Sequence, residues 1–200
     1  MTPDHLTIAG MVIAIGAAVA IGAGYLALGL LLVILAASPD LLDGALAKAS
    51  NTSSQRGAFF DSVVDRVTDA LLFGGVAWYF TSEHSARIAL LPVAVSAVSQ
   101  VISYERAKAE ALGLSAKGGL MERAERIILL CLGLLFPTLL LPIMWLMLVL
   151  TSITAVQRFV KVWRQAAVAP VTAAKIELRR SRRQSRRSAR LDRRTRTTRR

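Results

Sequence analysis

The chain has 200 residues, of which 54% are hydrophobic and only 6% aromatic, and its formal net charge is +12. Its single cysteine, Cys131, excludes an intrachain disulfide and lies in an apolar run that favours a packing role. The charge is uneven, because residues Lys175 to Arg200 hold thirteen basic and two acidic side chains, a net charge of +11. The basicity of the whole chain therefore says nothing about the partners of the remaining residues.

Apolar residues lie in six blocks that are nearly free of charge. In chain order they are Ile8 to Ile21, Tyr25 to Ala37, Val67 to Phe80, Ile88 to Ile102, Ile127 to Leu141 and Met144 to Val156. Several reach membrane-spanning length with their flanking residues. The blocks predict an all-α integral membrane bundle of six transmembrane helices over residues 1–165. Core helices of a soluble protein are the alternative, which the weak 3.6-residue alternation disfavours.

Basic residues ahead of the tail set the expected orientation. With six spans and a cytoplasmic N-terminus, all twelve of them except Arg87 fall on the cytoplasmic side. We therefore expect a multi-pass protein of the cell membrane whose active site faces the cytoplasm. Met1 to Asp4 contains no basic residue, so we expect no removable signal peptide.

Four carboxylates stand around the junction of the second and third blocks. Asp40 and Asp43 are three residues apart, and Asp61 and Asp65 are four apart, so each pair lies on one face if both flanks are helical. Ionised groups at membrane depth are costly unless they face water, a partner or a metal, so these acids predict a functional site. Carboxylate oxygens suit Mg²⁺ or Mn²⁺, and we expect two ions in a site for displacement at phosphorus.

The acids belong to a longer motif, D-x2-D-G-x2-A-K, eight residues, then G-x3-D-x3-D. It is formed by Asp40, Asp43, Gly44, Ala47, Lys48, Gly57, Asp61 and Asp65. This motif resembles the signature of the CDP-alcohol phosphotransferases, which have Arg where this chain has Lys48. The resemblance implies two Mg²⁺ ions held by the four aspartates, with Asp65 also the general base. Lys48 can hold a phosphate as a point charge but lacks the bidentate fork of Arg. Asp69, one turn further on, has no role in the motif, and we expect it in a polar network.

The resemblance also implies where CDP-diacylglycerol binds. In the family, the segment ahead of the first span reaches the nucleotide, although helix capping by Thr2 or Asp4 is the simpler interpretation. Ser50 to Gly57 is small, polar and ends in glycine, which predicts a loop that meets phosphate oxygens. The expected CDP-diacylglycerol-binding residues are Thr2, Pro3, Asp4, His5, Gly44, Lys48 and Ser54.

A second set of segments narrows the resemblance from the whole family to one subfamily. Four segments between Ser99 and Arg158 are similar to segments of the actinobacterial phosphatidylinositol phosphate synthases: SQVISY, RAKAEALGL, GGLMERAER and VQR. In that family three basic residues bind the phosphate of the acceptor alcohol, and the matching positions are Arg106, Arg126 and Arg158. The positive-inside rule alone is the alternative for each. It is also the interpretation for the basic residues without a motif role, Lys108, Lys117 and Arg123, whereas Arg66 is expected in an ion pair or interface.

Residues 166–200 form a separate region. Arg, Ser and Thr repeat there without an apolar face, which predicts a disordered cytoplasmic tail. Anionic lipid headgroups are the expected partner. We expect no nucleic acid, since no aromatic residues interleave with the basic ones.

Three functions of different classes are compatible with these patterns. The first is a phosphatidyltransferase that moves the phosphatidyl group of CDP-diacylglycerol to 1D-myo-inositol 3-phosphate (L-myo-inositol 1-phosphate), with glycerol 3-phosphate as the alternative acceptor. The second is a cation transporter, which does not account for the glycine spacing. The third is a membrane anchor for the tail, which leaves the aspartates unexplained. The family resemblance also implies a homodimer.

Overall fold

The structure is a computed structural model that describes residues 3–46 and 55–197, with side chains for 7–38 and 56–167. The regular structure of these residues is entirely helical, in agreement with the predicted all-α class. The six helices are α1 (Pro3–Gly22), α2 (Leu26–Leu46), α3 (Gln55–Glu83), α4 (Leu90–Ala111), α5 (Arg123–Leu135) and α6 (Pro137–Thr197).

Neighbouring helices run in alternating directions around one apolar core. Helix α1 packs against α2 and α3, α3 packs against α4, and α6 packs against α4 and α5. The core contains fully buried Phe73, Phe80, Leu130 and Met147. Because each connection reverses the chain, the ends of α2 and α4 meet the starts of α3 and α5 at one end of the bundle. Those acidic and basic residues of the sequence motifs that the structure describes lie at that end.

The boundary between the last two helices differs from the prediction. The apolar blocks place it at Pro142, whereas α5 ends at Leu135 and α6 begins at Pro137. Proline lacks an amide hydrogen and is favoured at the first position of a helix, where that hydrogen has no intrahelical partner. Gly133 of α5 faces Leu140 of α6, so the two helices form an antiparallel hairpin. Helix α5, with 13 residues, is accordingly shorter than the predicted span.

The basic tail also differs from the prediction. Its backbone continues α6 as far as Thr197, so the predicted disorder is not confirmed. Arg, Ala, Lys and Gln are good helix formers, which permits a helix where no apolar face requires one. The end of the predicted loop differs as well, since α3 begins at Gln55 and includes Gly57.

The outer surface of the bundle is apolar. Large aliphatic and aromatic side chains are exposed on each helix, among them Val12, Leu31, Trp78, Val93, Ile128 and Val149. Within the described residues, Pro137–Ala167 is the one stretch long and apolar enough to cross a membrane by length and composition, and Thr7–Gly22 and Leu26–Ser38 are shorter apolar segments. One span thus meets the length criterion where the sequence predicts six.

Candidate active site

Helix α3 presents three aspartates along one face. Asp61, Asp65 and Asp69 follow one another at four-residue intervals, so each lies about one turn from the next. Asp61 is exposed, Asp65 is half-buried, and Asp69 is buried with 5% of its surface accessible. The face therefore runs from solvent into the core.

Two arginines of α5 meet the deeper part of this acidic face. Arg123 Nη1 lies 2.7 Å from Asp65 Oδ1 and 3.6 Å from Asp69 Oδ1. Arg126 is buried, and its Nη2 donates to Asp69 Oδ2 at 2.7 Å. A buried pair at this distance balances two charges that would otherwise be costly in the core. Asp69 thus belongs to a polar network, as the sequence predicts.

Helix α6 contributes Arg158, whose guanidinium is held on three sides. Its Nε donates to the carbonyl of Gly118 at 2.9 Å, its Nη1 points to the carbonyl of Ile102 at 3.4 Å, and its Nη2 lies 2.9 Å from Glu122 Oε1. Gly118 has a φ of 91°, a conformation that favours glycine and allows its carbonyl to face Arg158. The side chain of Arg158 is only 4% exposed.

These side chains surround one cavity of about 240 Å³ at the charged end of the bundle. Its lining includes Asp65 from α3, Arg106 from α4, Arg126 from α5 and Arg158 from α6. Arg106 forms an exposed pair with Glu110 at 3.1 Å, which contributes little stability and leaves its other donors accessible. Arg126 Nε is buried and has no hydrogen-bond partner in the described part of the chain. Such a donor is costly unless a ligand or water accepts from it.

A further acid lies near Arg158. Glu105 follows the apolar part of α4, and its Oε2 is buried without a hydrogen bond to any described residue. Burial raises the pKa of Glu105, while the charge of Arg158 acts in the opposite direction. Protonation of this carboxyl is therefore favoured by its surroundings.

The predicted metal ligands divide between described and undescribed side chains. Asp61 and Asp65 offer carboxylate oxygens one helical turn apart, a donor set that suits a hard divalent cation. Asp40 and Asp43 lie in the last two turns of α2, and their side chains fall outside the described residues. The described side chains contain no group of three or more acids, histidines or cysteines that could hold a metal. The oxygen donors of α3 fit one side of a divalent metal site.

The other residues predicted to bind CDP-diacylglycerol either lie near the charged end of the bundle or belong to the residues that the structure does not describe. Pro3, Asp4 and His5 form the first turn of α1, and Gly44 lies near the end of α2, with only their backbones described. Thr2, Lys48 and Ser54 are outside the described residues. The contacts of these residues with CDP-diacylglycerol therefore stay a prediction.

Two residues of the cavity have contacts that the sequence interpretation missed. Arg123 was assigned only to membrane orientation, but it contacts Asp65, and Glu122 contacts Arg158. The ER-x-ER repeat contained a signal for the first, because Arg123 and Arg126 are three residues apart and share a helix face. Arg66 donates to the carbonyl and hydroxyl oxygens of Ser62, one turn earlier in α3.

Known proteins share both the sequence and the fold. A phosphatidylinositol phosphate synthase of Mycobacterium marinum is 36% identical in an alignment of 173 residues that covers 82% of this chain and 74% of the relative. The crystal structure of Mycobacterium tuberculosis phosphatidylinositol phosphate synthase with CDP-DAG bound matches with a TM-score of 0.74 and 35% identity, covering 82% of this chain and 87% of that chain. The same enzyme in complex with manganese and citrate gives a TM-score of 0.75 at 35% identity, with 82% and 83% covered. The sequence profile of the CDP-alcohol phosphatidyltransferases matches residues 1–171, and the chain belongs to this enzyme family.

Proposed function

We propose that the protein transfers the phosphatidyl group of CDP-diacylglycerol to 1D-myo-inositol 3-phosphate (L-myo-inositol 1-phosphate), releasing CMP and forming phosphatidylinositol phosphate. The observation that carries this proposal is the convergence of Arg106, Arg126 and Arg158, from three helices, on one cavity that Asp65 also lines. A phosphomonoester brings up to two negative charges, which match guanidinium donors. The relatives named phosphatidylinositol phosphate synthase support the choice of acceptor.

The proposed donor site uses the four aspartates. Asp40, Asp43, Asp61 and Asp65 would hold two divalent ions, Mg²⁺ or Mn²⁺, which would neutralise the pyrophosphate and stabilise charge on the leaving CMP. The manganese in the Mycobacterium tuberculosis structure supports a divalent ion. The proposed contacts to CDP-diacylglycerol remain Thr2, Pro3, Asp4, His5, Gly44, Lys48 and Ser54.

The acceptor hydroxyl is activated by Asp65. Its carboxylate takes the hydroxyl proton while the hydroxyl oxygen attacks the β-phosphorus, and the bond from that phosphorus to CMP breaks. Arg123, 2.7 Å from Asp65, orients the carboxylate beside the cavity. The arginines would thus hold the phosphate of the acceptor, and Asp65 on α3 would contact the hydroxyl group at the other end of the same molecule.

Glycerol 3-phosphate is the alternative acceptor, because its phosphomonoester would suit the same three arginines. A cation pathway is disfavoured, since the five arginines that line the cavity outnumber its four carboxylates. The acceptor preference thus decides between two enzymes of one family.

The membrane arrangement is also part of the proposal. We assign six spans in the cell membrane with the charged end facing the cytoplasm, because apolar side chains are exposed on every helix and, of the basic residues described ahead of the tail, Arg87 alone lies at the opposite end. Short α5 would be accommodated by its neighbours and by local thinning of the bilayer. We further propose a homodimer and a tail that binds anionic lipids through its net charge of +11.

Steady-state kinetics of the purified protein test the proposed acceptor site. Replacing Arg158 with Gln removes a buried charge-assisted contact worth roughly 1.5 to 3 kcal/mol, so KM for inositol phosphate should rise by at least about tenfold. The KM for CDP-diacylglycerol should remain nearly constant. Arg164→Gln is the matched control, because Arg164 lies on α6, is exposed and does not line the cavity. An equal effect of both substitutions on KM would contradict the proposed site.

A further inference from the structure

Arg158 is held by two kinds of partner that differ in what they can do. The carbonyls of Gly118 and Ile102 orient the guanidinium but carry no net charge. Glu122 supplies the carboxylate that neutralises it, at 2.9 Å from Nη2. The charge of Arg158 is therefore balanced by a side chain of the protein at the place where the proposed function requires a phosphate.

The side chain of Glu122 is less constrained than that of Arg158, although it also accepts from the backbone amide of Glu125 in a capping box at the start of α5. The side chain of Glu122 is 43% exposed, compared with 4% for Arg158. The backbone of Glu122 is fixed, because its amide donates to Glu125 Oε2 at 3.0 Å and the preceding amide of Met121 donates to Thr154 at 3.0 Å. Rotation of the Glu122 side chain would open Nη2 to the cavity and give up its capping-box hydrogen bond, while these two amide contacts keep the backbone in place.

A carboxylate and a phosphate compete for the same donor. Both offer anionic oxygens to a guanidinium, but a phosphomonoester brings up to two negative charges and three terminal oxygens against one charge and two oxygens. We propose that Glu122 occupies the acceptor-phosphate position on Arg158 when no acceptor is bound, and that the acceptor must displace it. The inference rests on the proposed function, namely that Arg158 binds the acceptor phosphate.

This arrangement makes Glu122 a specificity-determining residue. An alcohol without a phosphate offers nothing that can replace Glu122 on a buried guanidinium, so Arg158 stays closed to it. A phosphomonoester displaces Glu122, at the cost of a lower apparent affinity, because only the fraction of molecules with Glu122 rotated away can bind it. Glu122 therefore lowers affinity for every acceptor while excluding neutral ones.

The Glu122→Gln variant tests the inference, because it removes the charge and keeps the shape. Its KM for inositol phosphate should fall by about three- to fivefold, which is the upper part of the range expected for losing a competing, partly exposed ion pair. The KM for CDP-diacylglycerol should not change. Glu83→Gln is the matched control, since it removes the same charge from an exposed residue at the end of α3 that does not line the cavity. In the control the acceptor KM should stay within about twofold of the wild-type value.

A second readout does not depend on turnover. Without Glu122 the buried Arg158 lacks its ion-pair partner, so inorganic phosphate should raise the Tm of Glu122→Gln more than that of the wild type or of Glu83→Gln. If Glu122→Gln fails to fold, Glu122→Asp retains the charge on a shorter side chain and should show the same changes, smaller in size. An unchanged or higher acceptor KM in the Glu122 variant, or equal phosphate effects on all three proteins, would overturn the inference.

Failure of the inference and failure of the proposed function give different results. If Arg158→Gln raises the acceptor KM but Glu122→Gln does not lower it, Arg158 binds the acceptor and Glu122 does not compete. If Arg158→Gln leaves the acceptor KM unchanged, the proposed phosphate site is wrong, and the inference about Glu122 is overturned with it. A preference for glycerol 3-phosphate, combined with a lower KM in Glu122→Gln, changes the acceptor and supports the inference.

Discussion

Asp69 joins the helix that carries the predicted metal ligands to the helix that carries Arg126, and its removal tests this network. Asp69→Asn keeps the shape of the side chain and removes its charge. The side chains of Asp69 and Arg126 are 6% and 4% exposed and lie 2.7 Å apart. In the variant, Arg126 would be a buried cation without its partner. Removing one member of a buried pair costs about 3 to 5 kcal/mol. For a chain of this size the loss corresponds to a Tm lower by roughly 6 to 20 °C.

Thermal unfolding in detergent micelles with a chelator present is the assay. Asp61→Asn is the matched control, because it makes the same change on the same helix at an exposed carboxylate, and chelation removes any contribution from bound metal. We expect a change of less than about 1 kcal/mol for this control. Double substitution of Asp69→Asn with Arg126→Gln should cost less than the sum of the two single changes, by about 0.5 to 3 kcal/mol. Equal Tm values for Asp69→Asn and Asp61→Asn, or strict additivity, would refute the network.

Further predictions concern the donor site and the partly buried acid Glu105. Asp61→Asn should abolish metal-dependent CMP release while leaving the circular dichroism spectrum unchanged, and near-normal activity would exclude a two-metal site that includes Asp61. Lys48→Arg should equal or exceed wild-type activity and Lys48→Ala should raise KM for CDP-diacylglycerol, whereas an unchanged KM in the alanine variant would show that Lys48 does not bind this substrate. Because burial raises the pKa of Glu105, its charged form costs stability, a cost absent below the unfolded pKa near 4.5 and fully present above the raised one. Glu105→Gln should therefore raise Tm near pH 8 and leave it unchanged near pH 4, and equal shifts at both pH values would contradict this.

Local sequence signals account for much of the fold. Long charge-free blocks predict helices because a buried or lipid-facing backbone must satisfy its hydrogen bonds internally. They do not decide which of two prolines begins α6, because both Pro137 and Pro142 lie in an apolar stretch and packing against α5 makes the choice. The sequence does not predict the helical backbone of the tail because its composition lacks an apolar face, although its many arginines are good helix formers.

The candidate site could be predicted only in part from the sequence, and the reason differs from that for the fold. Arg106, Arg126 and Arg158 are far apart in the chain, and only the family resemblance brought them together before the structure placed them around one cavity. The contacts of Glu122 and Arg123 depend on how α5 lies against α3 and α6. No local pattern specifies such a contact, because a charged residue near a helix end is equally explained by membrane orientation.

The most direct test of the central claim is the acceptor preference of the purified protein. Labelled CDP-diacylglycerol is supplied with Mg²⁺ and, in separate reactions, 1D-myo-inositol 3-phosphate, glycerol 3-phosphate or free myo-inositol, and the lipid products are separated. We predict CMP release and a phosphatidylinositol phosphate product with inositol phosphate, little product with the other two acceptors, and none after chelation of the metal. Preferred use of free myo-inositol, or product formation without a divalent ion, would contradict the account.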